Sequence, residues 1–119
     1  MKSILIVDDS QVMRDIVKMT LKYTTLEVLT AVNGQDALEV YAKHKSDICL
    51  IITDINMPIM NGIEFISSIR EKDQEVPVLV LSTESCEEMK KKMINLGASG
   101  WIIKPFKPNN LTDIVAKII

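Results

Sequence analysis

Polar side chains capable of chemistry directly follow four short apolar segments of the sequence. The residues that follow the four segments are Asp8-Asp9, Thr53-Asp54, Ser82-Thr83 and Lys104-Pro105. Three carboxylates held close together repel one another, and a divalent cation relieves that repulsion. Because hard oxygen ligands with room for water suit Mg²⁺, the acidic residues predict a magnesium site. A lysine and a hydroxyl beside such a cation would favour an incoming phosphoryl group, whose equatorial oxygens need positive partners.

The same residues include a candidate nucleophile and its helpers. An aspartate in such a cluster can attack phosphorus and form an aspartyl-phosphate. We expect Thr83 to donate a hydrogen bond to one phosphoryl oxygen and Lys104 to pair with another. A single aspartate after a strand is more often a helix cap or turn residue than a ligand. The interpretation therefore depends on the coincidence of three carboxylates, a hydroxyl and an ammonium group.

The apolar pattern alternates between strand-like and helix-like segments along the chain. Short apolar runs typical of buried strands occupy residues 4–7, 27–31, 48–52, 76–81 and 100–103. A segment with helical spacing of apolar residues follows each run. Ser85-x-x-Glu88 predicts a capping box for the fourth helix, Gly97 its end, and Pro108 the first turn of the fifth. Five strands alternating with five helices predict a parallel sheet with helices on both faces.

This architecture would bring the polar residues together. In open parallel sheets, ligands bind outside the carboxyl ends of the strands, where the strand order reverses. The candidate residues follow the first, third, fourth and fifth predicted strands. We therefore expect them to converge on one edge of the sheet, provided that these strands are neighbours.

Length and composition restrict the class of protein. The 119 residues, 47% hydrophobic and 25% charged, predict one globular domain over residues 1–119. A net charge of −2 disfavours general binding to nucleic acid. The longest apolar run, residues 48–52, is too short to span a membrane. Cys49 and Cys86 belong to no CxxC motif, so we expect two free thiols in the cytoplasm.

Four segments together resemble the landmarks of response-regulator receiver domains. They are Ile4-Leu-Ile-Val-Asp-Asp-Ser10, Asp54-x-Asn-Met-Pro-x-Met-Asn-Gly62, Leu81-Ser-Thr83 and Lys104-Pro-Phe106. They occur in the order typical of the family and extend the resemblance from the first strand to the last helix. The resemblance implies a flavodoxin-like (βα)5 fold with strand order 2-1-3-4-5.

The resemblance also implies roles for the acidic cluster and its lysine. Asp54 matches the phospho-acceptor of the family. Asp9 and Asp54 match direct Mg²⁺ ligands, Asp8 matches a residue that acts through water, and Asn56 matches the position whose backbone carbonyl completes the metal shell. Lys104 matches the lysine that contacts the phosphoryl group. The Lys104-Pro105 peptide bond matches one that is usually cis in the family.

Further positions match residues that switch the domain or set the lifetime of its acyl phosphate. Thr83 matches the switch hydroxyl, and Trp101 lies where the family usually has an aromatic switch residue, often Tyr or Phe. Glu84 stands where the family often has a small residue, so its bulk is expected to narrow access for small phosphodonors or a phosphatase. Asn56, Glu84 and Ser85 are expected to influence the lifetime of the acyl phosphate.

The resemblance implies a signalling role. A histidine kinase would phosphorylate Asp54, and the modified chain would offer an altered surface of the fourth helix, fifth strand and fifth helix to a protein target. Thr83-Glu-Ser85 and residues 100–106 resemble stand-alone, CheY-like chemotaxis regulators, whose target would be a motor switch. Because one receiver fills the length, we expect the output to be a surface offered to another protein. We also expect a monomer without nucleic-acid or membrane partners. It would turn over no separate substrate.

Three alternatives remain open from the sequence. A phosphorelay intermediate would pass its phosphoryl group to a histidine phosphotransferase. An aspartate-nucleophile phosphatase would have a general-acid aspartate two residues after the nucleophile, where this chain has Asn56. A flavin-binding flavodoxin-like module would need a phosphate loop rich in Ser, Thr and Gly after the first strand, where this chain has Asp8-Asp9.

Overall fold

A computed structural model of the chain describes residues 2–83 and 85–118 and contains one parallel sheet. Its strands are β1 (Ser3–Val7), β2 (Glu27–Ala31), β3 (Ile48–Thr53), β4 (Val78–Ser82) and β5 (Gly100–Ile103). The strands lie in the order β2-β1-β3-β4-β5, and every pair is parallel. The expected fold class and strand order are therefore confirmed. The chain places β2 on one side of β1 and then places β3 on the other side of β1. The strand order therefore reverses between β1 and β3, and the carboxyl ends of these two strands form the topological switch point.

Five α-helices connect or follow the strands. They are α1 (Gln11–Thr20), α2 (Gly34–His44), α3 (Gly62–Lys72), α4 (Glu87–Leu96) and α5 (Pro108–Ile118), and a 3₁₀ turn (Leu21–Tyr23) extends α1. Ser10, Asn33 and Asn61 cap the first three helices with side-chain oxygens. Among the described helices, none is long and apolar enough to cross a bilayer.

The predicted capping box at α4 is wrong. The N-cap residue is Cys86, one position later than the predicted Ser85, and its side chain makes no capping hydrogen bond. A box needs Glu or Gln three residues after the cap, and that position is Met89, which packs partly against the core. At the other end, Gly97 adopts the left-handed conformation with φ 111° and ends α4, as its position predicts.

The strands bury both of their faces, which explains their uninterrupted apolar runs. On one face, a core under α2, α3 and α4 includes Leu5, Ile51, Val78, Phe65 and Ile66. On the other face, a second core under α1 and α5 includes Ile4, Leu50, Leu79, Val17 and Val115. The predicted arrangement of helices on both faces is confirmed, and the rigid sheet between the two cores fixes the strand ends relative to one another.

An arginine joins the ends of α3 and α4. The Arg70 guanidinium donates from Nε and Nη2 to the carbonyl oxygen of Gly97, at 3.0 and 2.7 Å, and from Nη1 to the carbonyl oxygen of Asp73 at 3.0 Å. A Cβ atom added to Gly97 would lie 2.7 Å from Arg70 Nε. The positive φ and this close approach both require glycine at position 97.

A tyrosine–aspartate pair joins α2 to the end of α3. Tyr41 donates its hydroxyl proton to Asp73 Oδ2 at 2.9 Å. Burial, together with this hydrogen bond and the negative charge of Asp73, raises the pKa of Tyr41 to about 12. Burial opposes the charge of Asp73, but hydrogen bonds from the backbone N–H groups of Val76 and Glu75 and from Tyr41 lower the pKa of Asp73 overall.

Candidate functional site

Three carboxylates lie together at the switch point. Asp8 directly follows β1 and Asp54 directly follows β3, and these two strands are neighbours in the sheet. The Asp54 N–H donates to the carbonyl oxygen of Val7 at 2.9 Å, so the sheet register extends to the site. Oxygens of Asp8, Asp9 and Asp54 all lie within 4.8 Å of one another. Asp8 is buried, Asp54 is half-buried and Asp9 is exposed, so the cluster opens to solvent on the side of Asp9.

Lys104 reaches the cluster from the end of β5, which is an edge strand of the sheet. It directly follows β5, and its N–H donates to the carbonyl oxygen of Ser82 at 2.8 Å. Its Nζ lies 2.8 Å from Asp8 Oδ2 and 3.1 Å from Asp54 Oδ2, with only 11% of the lysine side chain exposed. The expected convergence of lysine and carboxylates is therefore present in the structure. The peptide bond between Lys104 and Pro105 is cis.

Burial and charge oppose each other within this group. Burial raises the pKa of Asp54, and the ammonium group of Lys104 offsets only part of that effect. Burial alone would lower the pKa of Lys104, but the hydrogen bond to Asp8 and the negative charges of Asp54 and Asp8 outweigh it and raise the pKa. One ammonium group thus faces several carboxylates, and the cluster retains excess negative charge.

The second carboxylate oxygens of Asp8 and Asp54 accept hydrogen bonds from the backbone. Asp54 Oδ1 accepts from the N–H of Ile55 at 2.7 Å, and Asp8 Oδ1 accepts from the N–H of Ser10 at 2.9 Å. Arg14 Nη1 donates to the carbonyl oxygen of Asp8 at 2.6 Å. These contacts fix the orientation of both carboxylates before any ligand arrives, which is the property that a preorganised site requires.

The donor set fits a divalent cation. Three clustered carboxylates are hard oxygen ligands, and they carry more negative charge than Lys104 neutralises. The exposed position of Asp9 leaves room for water or a substrate oxygen on one side of the cluster. A divalent-metal site at Asp8, Asp9 and Asp54 is therefore consistent with the structure.

The other predicted site residues surround this edge of the sheet. Thr83 is exposed directly after β4, and Ser85 is exposed two residues later. Asn56 is exposed in the loop between β3 and α3. Trp101 is half-buried in β5 and packs against the core under α2, α3 and α4. Glu84 lies outside the residues that the structure describes.

The Trp101 indole has a polar atom without a partner. Its Nε1 is buried and, among the described residues, has no hydrogen-bond acceptor. An indole N–H buried in this way loses its hydrogen bonds to water without replacement, which costs about 1–3 kcal/mol. Among the described residues, the polar atom of this side chain is therefore unsatisfied in its observed position.

Two supporting residues were not predicted from the sequence. Arg14 in α1 donates a hydrogen bond to the backbone carbonyl of Asp8. Nothing in its sequence context distinguishes it from other cationic residues on helix surfaces. Gly62 starts α3 directly against the backbone of Asp54 and Ile55, where an added Cβ would collide. The motif containing Gly62 was recognised through the resemblance, but only the structure shows this contact.

Known proteins are similar to this chain over nearly its whole length. A family model described as the response regulator receiver domain matches residues 4–116. The chemotaxis protein CheY of Halobacterium salinarum is 35% identical over 118 residues, which covers 99% of this chain and 97% of that protein. The crystal structure of the chemotaxis protein CheY4 of Vibrio cholerae superposes with a TM-score of 0.91 at 37% identity, covering 100% and 99% of the two chains.

A second similar structure is a complex whose name includes BeF3 and Mg²⁺. A chain in the CheX-CheY-BeF3-Mg²⁺ complex from Borrelia burgdorferi superposes with a TM-score of 0.94 at 29% identity, covering 98% of this chain and 88% of that one. Fold and site thus define a doubly wound α/β protein with an acidic, lysine-bridged cluster at its switch point. The family match makes the assignment specific: the chain belongs to the response regulator receiver domain family.

Proposed function

We propose that the chain is a CheY-like chemotaxis response regulator that accepts a phosphoryl group from a histidine kinase on Asp54. The observation that carries the proposal is the position of Lys104 Nζ between Asp54 and Asp8 in a cluster of three carboxylates. The similarity to CheY proteins over nearly the whole chain supports the role in chemotaxis. The proposal places the chain in the cytoplasm, and neither of its two cysteines forms a disulfide.

Phosphoryl transfer follows from the arrangement of the site. An Asp54 oxygen attacks the phosphorus of a phosphohistidine, an O–P bond forms, the P–N bond breaks, and the departing imidazole nitrogen takes up a proton. Lys104 balances the charge of one phosphoryl oxygen, and Thr83 donates a hydrogen bond to another. Mg²⁺, held by Asp9, Asp54 and the carbonyl of Asn56, with Asp8 through water, would supply positive charge for the transferred group.

The acyl phosphate would then alter the surface of the domain. The added negative charge draws Thr83 toward the phosphoryl group, and the space it leaves admits Trp101. The equilibrium between two surfaces of α4, β5 and α5 shifts, and a protein target binds one of them.

In this proposal the protein is a switch and not a turnover enzyme. Asn56, two residues after Asp54, carries no carboxyl group that could act as the general acid of an aspartate-nucleophile phosphatase. The chain catalyses its own phosphorylation and dephosphorylation, works as a monomer, and has a motor switch protein as its target. The alternative output is onward transfer to a histidine phosphotransferase.

The phospho-acceptor assignment is tested by removing the nucleophile. Asp54→Asn is expected to abolish Mg²⁺-dependent labelling by acetyl phosphate, because an amide oxygen does not form the acyl phosphate. Intact-mass spectrometry measures the labelling, and Asp113→Asn on the exposed surface of α5 is the matched control. Stoichiometric labelling of the Asp54→Asn variant would contradict the assignment.

The output is tested separately. Motor switch protein should bind the chain in the presence of beryllofluoride and Mg²⁺ and not in their absence. Rapid transfer of phosphate to a histidine phosphotransferase, without beryllofluoride-dependent binding to a motor protein, would instead favour the phosphorelay role.

A further inference from the structure

Exposed apolar side chains concentrate on one helix of the domain. Among the residues that the structure describes, eight large apolar side chains are exposed. Four of them lie in α1 and in the 3₁₀ turn that extends it: Val12, Ile16, Met19 and Tyr23. The other four belong to four separate segments: Val32, Ile94, Ile103 and Ile59, which is at the apex of a γ-turn with φ 69°. Apolar residues exposed singly need no explanation, but a group of four on one helix points to an interaction site.

The spacing of these four residues is that of a helix-packing seam. They are separated by four, three and four positions, as are the a and d residues of a coiled coil. At 3.6 residues per turn, the first three lie within about 60° of one another around α1. The buried Val17 lies on the inward side of the helix, so the group faces away from the core. We call Val12, Ile16, Met19 and Tyr23 the α1 seam.

The two flanks of the α1 seam differ in charge. Asp15, Lys18 and Lys22, which are all exposed, lie along one flank, with the aspartate toward the N-terminal end and the lysines toward the C-terminal end. The other flank presents the uncharged Met13 and Thr20. A helix that packs on the seam therefore meets an acidic and then a basic group on one side only.

We propose that the α1 seam binds the α1 seam of a second copy of this chain, with the two helices antiparallel. In an antiparallel pair, the same flank of both helices lies on the same side of the interface. Asp15 of one copy then faces the end of the flank that carries Lys18 and Lys22 in the other copy, and the two-fold axis repeats the contact. In a parallel pair the charged flank would instead face Met13 and Thr20, which offer no opposite charge.

The apolar residues of the seam match in the same arrangement. With the charges paired in this way, Ile16 of one copy packs against Met19 of the other. At the two ends, Val12 packs against Tyr23. Each copy thereby removes exposed apolar side chains from water, which is the main source of favourable free energy in protein association. The pattern is complementary to itself, as a two-fold interface requires.

The pair is a second state of the chain, in equilibrium with the monomer of the proposed function. Four side chains per copy are far fewer than the roughly 20–30 residues per side of a standard interface, so the pair forms only at high protein concentration. The inference does not depend on the phosphorylation of Asp54, and its failure would leave the proposed function unchanged.

Sedimentation equilibrium from micromolar to millimolar concentration tests the pairing. The apparent mass of wild type should rise toward that of two chains as the concentration increases. Met19→Lys should raise the dissociation constant at least about tenfold, because each pair loses two apolar contacts. Ile94→Lys makes the same charge change at a residue of α4 that is 46% exposed, and it should leave the constant unchanged. A wild type that stays monomeric throughout, or equal weakening by both substitutions, would overturn the inference.

An exchange of charges tests the antiparallel arrangement. Asp15→Lys, and the double substitution Lys18→Asp with Lys22→Asp, should each pair more weakly than wild type, because like charges then face each other. A mixture of the two should form a heteropair more readily than either variant pairs with itself. Lys91→Asp with Lys92→Asp, on the exposed surface of α4, matches the charge of the double variant and should show no preference for Asp15→Lys. The absence of a preferred heteropair, or an equal preference for the control, would contradict the proposed pair.

Discussion

Lys104 holds its ammonium group between two carboxylates whose charge it only partly offsets. Because burial raises the pKa of Asp54 despite this lysine, the site disfavours its own negative charge. A positive ligand or a phosphoryl group with its cation would lower that cost. At the scale of single residues, the site is thus poised to bind charge, with its carboxylate oxygens already oriented by Ile55 and Ser10.

A residue far from this site allows a test of the structure by pH. Tyr41→Phe removes the hydrogen bond to Asp73 and should destabilise the fold by about 1 kcal/mol at neutral pH. Tyr23→Phe is the matched control, because the Tyr23 hydroxyl is exposed and donates to the Thr112 carbonyl at a longer 3.3 Å. Urea unfolding measures both variants, and an equal effect in the two would contradict the prediction.

The difference between wild type and Tyr41→Phe should depend on pH in a defined direction. The pKa of Asp73 is lowered on folding, so its contribution is present above the unfolded pKa of about 3.9 and is lost as pH falls through the folded pKa. The pKa of Tyr41 is raised to about 12, so its contribution is complete below the unfolded pKa and is lost as pH rises toward 12. The difference in the free energy of unfolding between wild type and Tyr41→Phe should therefore shrink as pH falls through the folded pKa of Asp73 and as pH rises toward 12.

The two ends of α4 are held very differently. Arg70 makes two hydrogen bonds to the Gly97 carbonyl at the C-terminal end. At the N-terminal end, Cys86 provides no side-chain capping bond, unlike the capping residues of α1, α2 and α3. As an element, α4 is therefore anchored by Arg70 at the end remote from the site, and it has no side-chain cap at the end that follows Thr83.

A better cap should stabilise α4. Cys86→Ser places a strong hydrogen-bond acceptor at the N-cap and should raise the free energy of unfolding by about 0.5–1 kcal/mol. The converse control is Asn61→Ala, which removes the capping box of α3 and should lower it by about 1 kcal/mol. Chemical denaturation measures both changes. A loss of stability in Cys86→Ser would show that the N-terminus of α4 does not take up the added bond.

Across the whole molecule, the acidic cluster joins segments that are distant in sequence. Asp8 and Asp9 follow β1, Asp54 follows β3, and Lys104 follows β5. A ligand bound to these groups contacts only the folded state, because the unfolded chain does not bring them together. Binding there should therefore stabilise the entire fold and not one element alone.

Magnesium should raise the unfolding midpoint of the wild-type chain. At a Mg²⁺ concentration ~100 times the dissociation constant, the expected gain in the free energy of unfolding is about 2.7 kcal/mol. Asp9→Asn should lose most of this gain and be more stable than wild type without Mg²⁺, since one of three mutually repelling carboxylates is gone. Asp15→Asn, at an exposed position of α1, should respond to Mg²⁺ like wild type. Equal responses in Asp9→Asn and wild type would contradict the metal site.

The sequence predicted those features that depend on local pattern or on a shared motif. Continuous apolar runs such as residues 48–52 predicted strands buried on both faces, and the motif segments implied the strand order. The γ-turn at Ile59 was not predictable, because isoleucine disfavours that conformation. The bonds from Arg70 to Gly97 were not predictable either, since packing of two helices determines them. The capping box at Ser85 failed because helix packing places Met89, and not Glu88, three residues after the N-cap.

The lysine that completes the site also belongs to the link between β5 and α5. Its ammonium group binds residues that follow β1 and β3, so the free energy of the site depends on where this link lies. Thermodynamic reciprocity then applies: a ligand of α5 that displaces the link and a modification of Asp54 must change each other's equilibrium by the same factor. A protein that binds α5 would therefore be an effector of the phosphoryl site as well as a reader of its state.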